Sequence, residues 1–337
     1  MRRVVLACAA FALACALLSG DKGSDWQSRR GLDDPRVGRI WDTAAHKWVE
    51  RDDLLQRARL SDFVLLGEKH DNPDHHHLQG VVIQSLARER IPPRVAFEML
   101  SEDDRPALDA WHATHPEDVE ALGDMLDWKH SGWPPWRIYE PVFMAAISRS
   151  LAIEPANLTK DQMAQLRATG IAGIPAERRQ RLALDPPISG AASESLAQEI
   201  REGHCGMAND QMVESMIAIQ RVRDATLADS LVRGGAPAVL IAGAGHVRKD
   251  RAVPVYLGRR EPERRVLSIA FREVSQGESE KVDDDYGTAF DFVWFTPRVD
   301  DLDPCERFKK ELEKMRPREP SALRGTFIAA LPSRAAR

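Results

Sequence analysis

Residues 65 to 77 read LLGEKHDNPDHHH, so an apolar run stops at Glu68 and His70 and is followed at once by His75, His76 and His77. Carboxylate and imidazole groups supply the oxygen and nitrogen donors that hold metal ions, and they also move protons near neutral pH. Other apolar runs stop in the same way. Glu98 lies at the end of RVAFEML (94 to 100), Asn157 ends SLAIEPANL (150 to 158), and His246 with Arg248 ends PAVLIAGAGHV (237 to 247). A carboxylate directly behind FVLL or RVAF must be partly buried, and that placement is costly unless the group is paired or functional. Glu68, His70, Glu98 and His246 therefore read as site residues, with the functional and structural readings of Asn157 evenly balanced. The set suits a zinc-like ion with an open position, or acid/base chemistry without metal.

The runs that carry these residues, together with RVLSIAF (265 to 271), lack polar alternation, as strands covered on both faces do. They predict an α/β fold: a mostly parallel sheet flanked by helices. In such a sheet the C-terminal strand ends share one edge, where ligands bind, so residues distant in sequence converge. Helices are predicted after His77, ending before Pro92, and over residues 207 to 231. Residues 101 to 149 and 159 to 203 are too long for simple connections and predict a smaller helical lobe, about 101 to 203, inserted around the third strand. SGWPPWRIYEP reads as an aromatic, proline-broken loop, and FDFVWFTP as one further strand. Successive helical residues point about 100° apart, so His75, His76 and His77, behind a cap at Asp74, cannot all face one ion. His75, nearest the strand end, is the candidate, and at least one of the others is surface.

Several chemistries lack their signatures. There is no nucleophile elbow, no phosphate-cradling GxxxxGK[ST] loop and no CxxC pair, and GAGH (243 to 246) lacks the remaining glycines of a dinucleotide fingerprint. The formal net charge of −5, with no basic block interleaved with aromatics, argues against nucleic acid as a partner. Residues 1 to 20, MRRVVLACAAFALACALLSG, have the basic start, short apolar run and small-residue end of a signal peptide. Cys15 allows lipid anchoring, although Ala12-Leu13-Ala14 is an imperfect lead-in and plain cleavage near Gly20 is an equal rival. The mature chain keeps Cys205 and Cys305, which in an exported protein pair with each other. The reading divides the chain into the leader, a domain over 30 to 275, and an extension over 276 to 337, disordered after about residue 316.

The motifs LLGEKHDNPDHHHLQ (65 to 79), RVAFEML, GWPPWRIYEPVF (132 to 143), GHCGM (203 to 207) and AGAGHVRKDRAVPVYL (242 to 257) make the chain resemble the ChaN-like haem-binding uptake proteins of the Tiki superfamily. The resemblance spans roughly residues 50 to 275. It implies haem binding in iron uptake, a periplasmic or cell-envelope location with or without a lipid anchor, and an outer-membrane haem receptor as partner. It also implies ligation through tyrosine and histidine, with stacked haems shared in a homodimer, and kinship with metal-dependent hydrolases. Carried onto this chain, the shared site is Glu68, His70, Glu98 and His246, with Arg248 nearby. Tyr139, in the aromatic stretch, is the tyrosine candidate, although a packed core aromatic is equally consistent. His75 is the histidine candidate, Arg137 is a candidate to pair with a propionate, and Arg248 is a further cofactor-binding candidate. Two functions follow: an exported haem-binding protein, which the resemblance ranks first, or a metal-dependent hydrolase or peptidase with a divalent transition metal on Glu68, His70, Glu98 and His246.

Overall fold

The computed structural model describes residues 26–275 and 286–307. The leader and the disorder expected after residue 316 lie outside them.

The six apolar runs form the strands β3 (Phe63–Glu68), β4 (Arg94–Ser101), β5 (Ile153–Asn157), β6 (Ala238–Gly243), β7 (Val266–Glu273) and β8 (Phe292–Thr296). Two three-residue strands precede them, β1 (Ile40–Asp42) and β2 (Lys47–Val49), too short to leave a periodic signal. All eight join one sheet in the order β2-β1-β8-β7-β3-β6-β4-β5. From β5 to β8 every pairing is parallel, and the β1–β2 hairpin closes the β8 edge antiparallel. The chain leaves β3 for β4 and β5 on one side, then returns through β6 to lie between β3 and β4. That arrangement opens a crevice at the C-terminal ends of β3, β4 and β6, where a parallel sheet takes its ligands.

Both faces are covered, which is why the strands read as continuous apolar runs. Val64, Leu66, Val95, Phe97, Val239 and Ile241 pack against the helices α1 (Arg51–Arg59), α2 (Pro73–Leu86), α3 (Arg105–Thr114), α4 (Val119–Met125) and α5 (Trp136–Ile147). On the other face Phe63, Leu65, Ala96 and Leu240 meet α6 (Lys160–Thr169), α8 (Gly190–Gly203), α9 (Asp210–Gly234) and α10 (Val253–Arg260), with the short α7 (Ala176–Arg181) between α6 and α8. The helices expected around the third strand are thus present on both sides of β5 in sequence, with α3 to α5 on one face of the sheet and α6 to α8 on the other.

The predicted aromatic loop is shorter than the motif. It ends at Pro135, and Trp136 starts α5, whose inward face carries Tyr139, Val142, Phe143 and Ala146. Trp128, Trp136, Tyr139 and Phe143 pack ring against ring at centroid separations of 4.9 to 5.8 Å. Cys205, just past α8, is bonded to Cys305, as the cysteine count of the mature chain predicts.

Candidate functional site

Strand parity decides which way each strand-end carboxylate points. Side chains alternate across a sheet, so Glu68 continues Val64 and Leu66 toward α2 and α5, while Glu98 continues Ala96 toward α9. The two glutamates, each almost fully buried, therefore head separate clusters on opposite faces.

On the α2 face, Glu68 Oε1 lies 2.9 Å from His70 Nδ1 and accepts the Tyr139 hydroxyl at 3.0 Å. Its Oε2 accepts the Gln79 amide at 2.7 Å and meets His76 Nδ1 at 3.0 Å. Burial alone would raise the Glu68 carboxyl. The charges and hydrogen bonds of His76 and His70 overcome it and hold the group well below the usual carboxylate range. His76 Nε2 reaches the His70 carbonyl at 3.0 Å, so His76 ties the strand-end turn to α2.

On the α9 face, Glu98 is bonded to the Arg223 guanidinium, to His246 Nε2 at 3.1 Å and to the backbone N–H of Gly243 at 2.8 Å. Burial would raise Glu98 too, but His246 and Arg223 keep it ionised. His246 Nδ1 meets Asp224 Oδ1 at 2.6 Å. Burial pushes the imidazole pKa down, yet the flanking carboxylates Glu98 and Asp224 raise it to about 9. Burial raises Asp224 to about 6.

His70 stands where the two clusters meet. Its ring lies against Gly243, where a Cβ would sit 3.0 Å from Nε2, so any side chain there would press the imidazole aside by a few tenths of an ångström. Gly67 serves a similar approach, since a Cβ there would come within 2.9 Å of the Ala244 backbone. His70 Nε2 makes no hydrogen bond among the described residues, and the side chain is 36 % exposed. Burial opposes the charged imidazole, but the Glu68 hydrogen bond and the Glu98 charge lift its pKa above the ordinary value. A cleft of about 530 Å³ opens beside it, lined in part by the largely buried Phe271 and Val274 and by Arg272, with Lys69 and Arg298 also on its rim but held by Glu273 and Asp301.

The other expected residues lie elsewhere. His75 is fully buried, its Nδ1 accepting from the Lys69 N–H at 2.9 Å and its Nε2 lying 2.9 Å from Thr296 Oγ1. Burial holds its pKa well below the ordinary value, and neither nitrogen is left for a ligand. Tyr139 is fully buried, with burial and the Glu68 charge raising its pKa. Arg137 is exposed on α5. Arg248 is held by Asp250 through two hydrogen bonds of 2.7 and 3.0 Å. Asn157 donates to the Glu98 carbonyl at 2.7 Å and thereby positions β4. The cap of α2 is Asn72, whose side chain accepts from the N–H groups of Asp74 and His75, whereas Asp74 accepts from Gln27 and Ser28. His77 is the surface member of the histidine trio.

His76, Gln79, Arg223, Asp224 and Gln220 were not among the expected site residues. Asp224 carries the signal that could have revealed it: on α9 it shares the buried stripe of Leu227, Ala228 and Leu231, where an unpaired carboxylate would be too costly.

A divalent ion on Glu68, His70, Glu98 and His246 does not fit this arrangement. The carboxylates point to opposite faces, and each is already neutralised by cationic or hydrogen-bonding partners. Among the described residues no group of three or more His, Cys, Asp or Glu side chains is placed to hold a metal ion. Haem fits better: the cleft offers the Arg272 guanidinium for a carboxylate and, in His70 Nε2, one imidazole nitrogen with no protein partner among the described residues.

Fold and site together define a parallel α/β protein with a ligand cleft at the carboxyl edge of its sheet. The sequence pattern of the family described as "Haem-binding uptake, Tiki superfamily, ChaN" matches residues 54–257, and the chain belongs to this family. Its fold is similar to the solved structure described as "Cofacial heme binding to ChaN of Campylobacter jejuni", with a TM-score of 0.59 and 21% sequence identity over 76% of this chain and 95% of that one. More distant are the type III effector HopBA1 (TM-score 0.40, 15% identity, 78% of this chain and 99% of that one) and the erythromycin esterase EreC (TM-score 0.42, 13% identity, 74% and 95%). No curated protein matches the sequence.

Proposed function

We propose that this chain is an exported haem-binding protein of the cell envelope that takes part in haem uptake, and that it holds haem in the strand-end cleft with His70 Nε2 as axial ligand. The observation that carries the reading is the hydrogen bond between His70 Nδ1 and the buried Glu68 carboxylate. It fixes the ring and holds a proton on Nδ1, so that Nε2, once it gives up the proton favoured by the neighbouring carboxylates, presents its lone pair to the cleft, the arrangement by which a carboxylate orients an imidazole toward a metal. The Arg272 guanidinium would meet a propionate, while Lys69 and Arg298 would meet one only by exchanging their present partners Glu273 and Asp301.

When bound, the haem supplies the iron that is carried, and the protein's part is to hold, orient and release it. The Glu98–His246–Asp224 network under Gly243 is structural in this reading: it fixes β6 and α9 behind the ligating ring. The signal peptide and the family's place in haem uptake support export, and a partner receptor in the outer membrane and a homodimer sharing haem follow from the resemblance. No helix among the described residues is long and apolar enough to cross a membrane.

The test is titration of leader-free protein with haemin, following the Soret band, with elemental analysis of the protein as isolated. A saturable band dependent on His70 supports the reading. A stoichiometric divalent metal without a haem band would reject it and restore the hydrolase.

A further inference from the structure

A second, separate cavity of about 50 Å³ lies beyond the end of β5, between the turn that follows β4, α6, the end of α7 and the outer part of α9. Three guanidinium groups line it: Arg178, Arg181 and Arg233. Two carboxylates share the wall, and both are already engaged. Asp229 takes Arg233 at 3.1 Å, Arg260 at 2.6 Å and Arg181 at 3.7 Å. Glu102 is held by Arg105 at 3.2 Å.

Arg178 is the exception. No hydrogen bond and no ion pair reaches its side chain among the described residues, and its Nε is enclosed without a partner. Burial, with the neighbouring Arg181 charge, pulls its pKa below the ordinary value. Nε itself is out of reach of the cavity, so the terminal nitrogens of the half-buried Arg178 side chain are the donors that line it, and guanidinium donors in folded proteins are normally satisfied.

We propose that this cavity binds a small tetrahedral oxyanion, a phosphate or sulfate group, with Arg178 as the principal donor and Arg181 and Arg233 flanking it. Size sets the class. A water needs roughly 10–15 Å³ by the same measure, so the cavity takes a few waters or one oxyanion group, and neither a nucleotide nor a porphyrin. Guanidinium forks are the side chains best matched to such oxygens. The site is independent of the haem reading, since none of its residues lines the large cleft.

The experiment is thermal denaturation and calorimetric titration of the full chain with inorganic phosphate at fixed ionic strength, with chloride as control. Saturable stabilisation by phosphate that chloride does not reproduce is expected, and Arg178→Gln should weaken it by about tenfold, the effect of one charge-assisted hydrogen bond. Wild-type far-ultraviolet circular dichroism and an unchanged melting midpoint in the absence of phosphate show that Arg178→Gln is folded. A parallel titration with glycerol phosphate separates a free anion from a phosphoryl group on a larger molecule, and either source supports the site. Equal responses to phosphate and chloride, or a phosphate response that survives in Arg178→Gln, would overturn the proposal.

Discussion

His70 Nδ1 lies 2.9 Å from Oε1 of a Glu68 carboxylate that has no access to water. The pair is local in sequence, two residues apart at the end of β3, yet what makes it a device is remote: Gln79 and His76 from α2 and Tyr139 from α5 hold the same carboxylate. A change at Glu68 therefore has two separable effects. Glu68→Gln should leave a folded protein of reduced stability and weaken haem by about 10- to 100-fold, the usual cost of losing the group that orients a ligating imidazole. Haemin affinity and a melting curve measured on the same preparation check this. Affinity equal to wild type would make the bond irrelevant to binding.

Gly243 offers a test that leaves every polar group in place. A methyl there would meet the His70 ring at 3.0 to 3.1 Å, and the imidazole must shift by a few tenths of an ångström to admit it. Gly243→Ala is expected to shift or weaken the Soret band while far-ultraviolet circular dichroism stays at wild type.

His246 gives the pH dependence its sign. Its folded pKa of about 9 exceeds the ordinary 6.5, so the stability from its ion pairs is fully present below about pH 6.5 and is lost as pH rises through about 9. The loss is at most about 3 kcal/mol at 1.36 kcal/mol per pKa unit. Urea midpoints measured between pH 6.5 and 9 should fall steadily in wild type and much less in His246→Gln. Glu68 and Glu98, held low, act below this window.

The Cys205–Cys305 bond closes a separation of 100 residues. Cross-linking so long a loop stabilises by about 4.7 kcal/mol in the chain-entropy account, and by less if the unfolded chain retains structure. Reduction should lower the denaturation midpoint by an amount in that range, read from paired urea curves with and without reductant.

Much of the fold was legible. Six strands, α2 and α9 follow from apolar runs and helical spacing, because burial on both faces writes itself directly into composition. The shared edge of Glu68, Glu98 and His246 was legible for the same reason. Their division between two faces was encoded as well, in the even positions Val64, Leu66 and Glu68 against Ala96 and Glu98, but a reading by strand ends alone passes over parity. That difference dissolves the four-residue metal site. Tyr139 looked like part of a loop because prolines precede it, and it is in the core because Pro135 ends the loop and α5 begins one residue later. His76 rather than His75 meets Glu68, and Asn72 rather than Asp74 caps α2. Arg248 read as a cofactor-binding residue, and Asp250, two residues on, occupies its guanidinium.

The central claim rests on one nitrogen. Leader-free wild type and His70→Ala should be titrated side by side with haemin, with Tyr139→Phe as a control for the buried tyrosine. The account predicts a saturable, red-shifted Soret band in wild type, its loss or displacement in His70→Ala, and its retention in Tyr139→Phe. A folded His70→Ala protein with the wild-type band and affinity would contradict it.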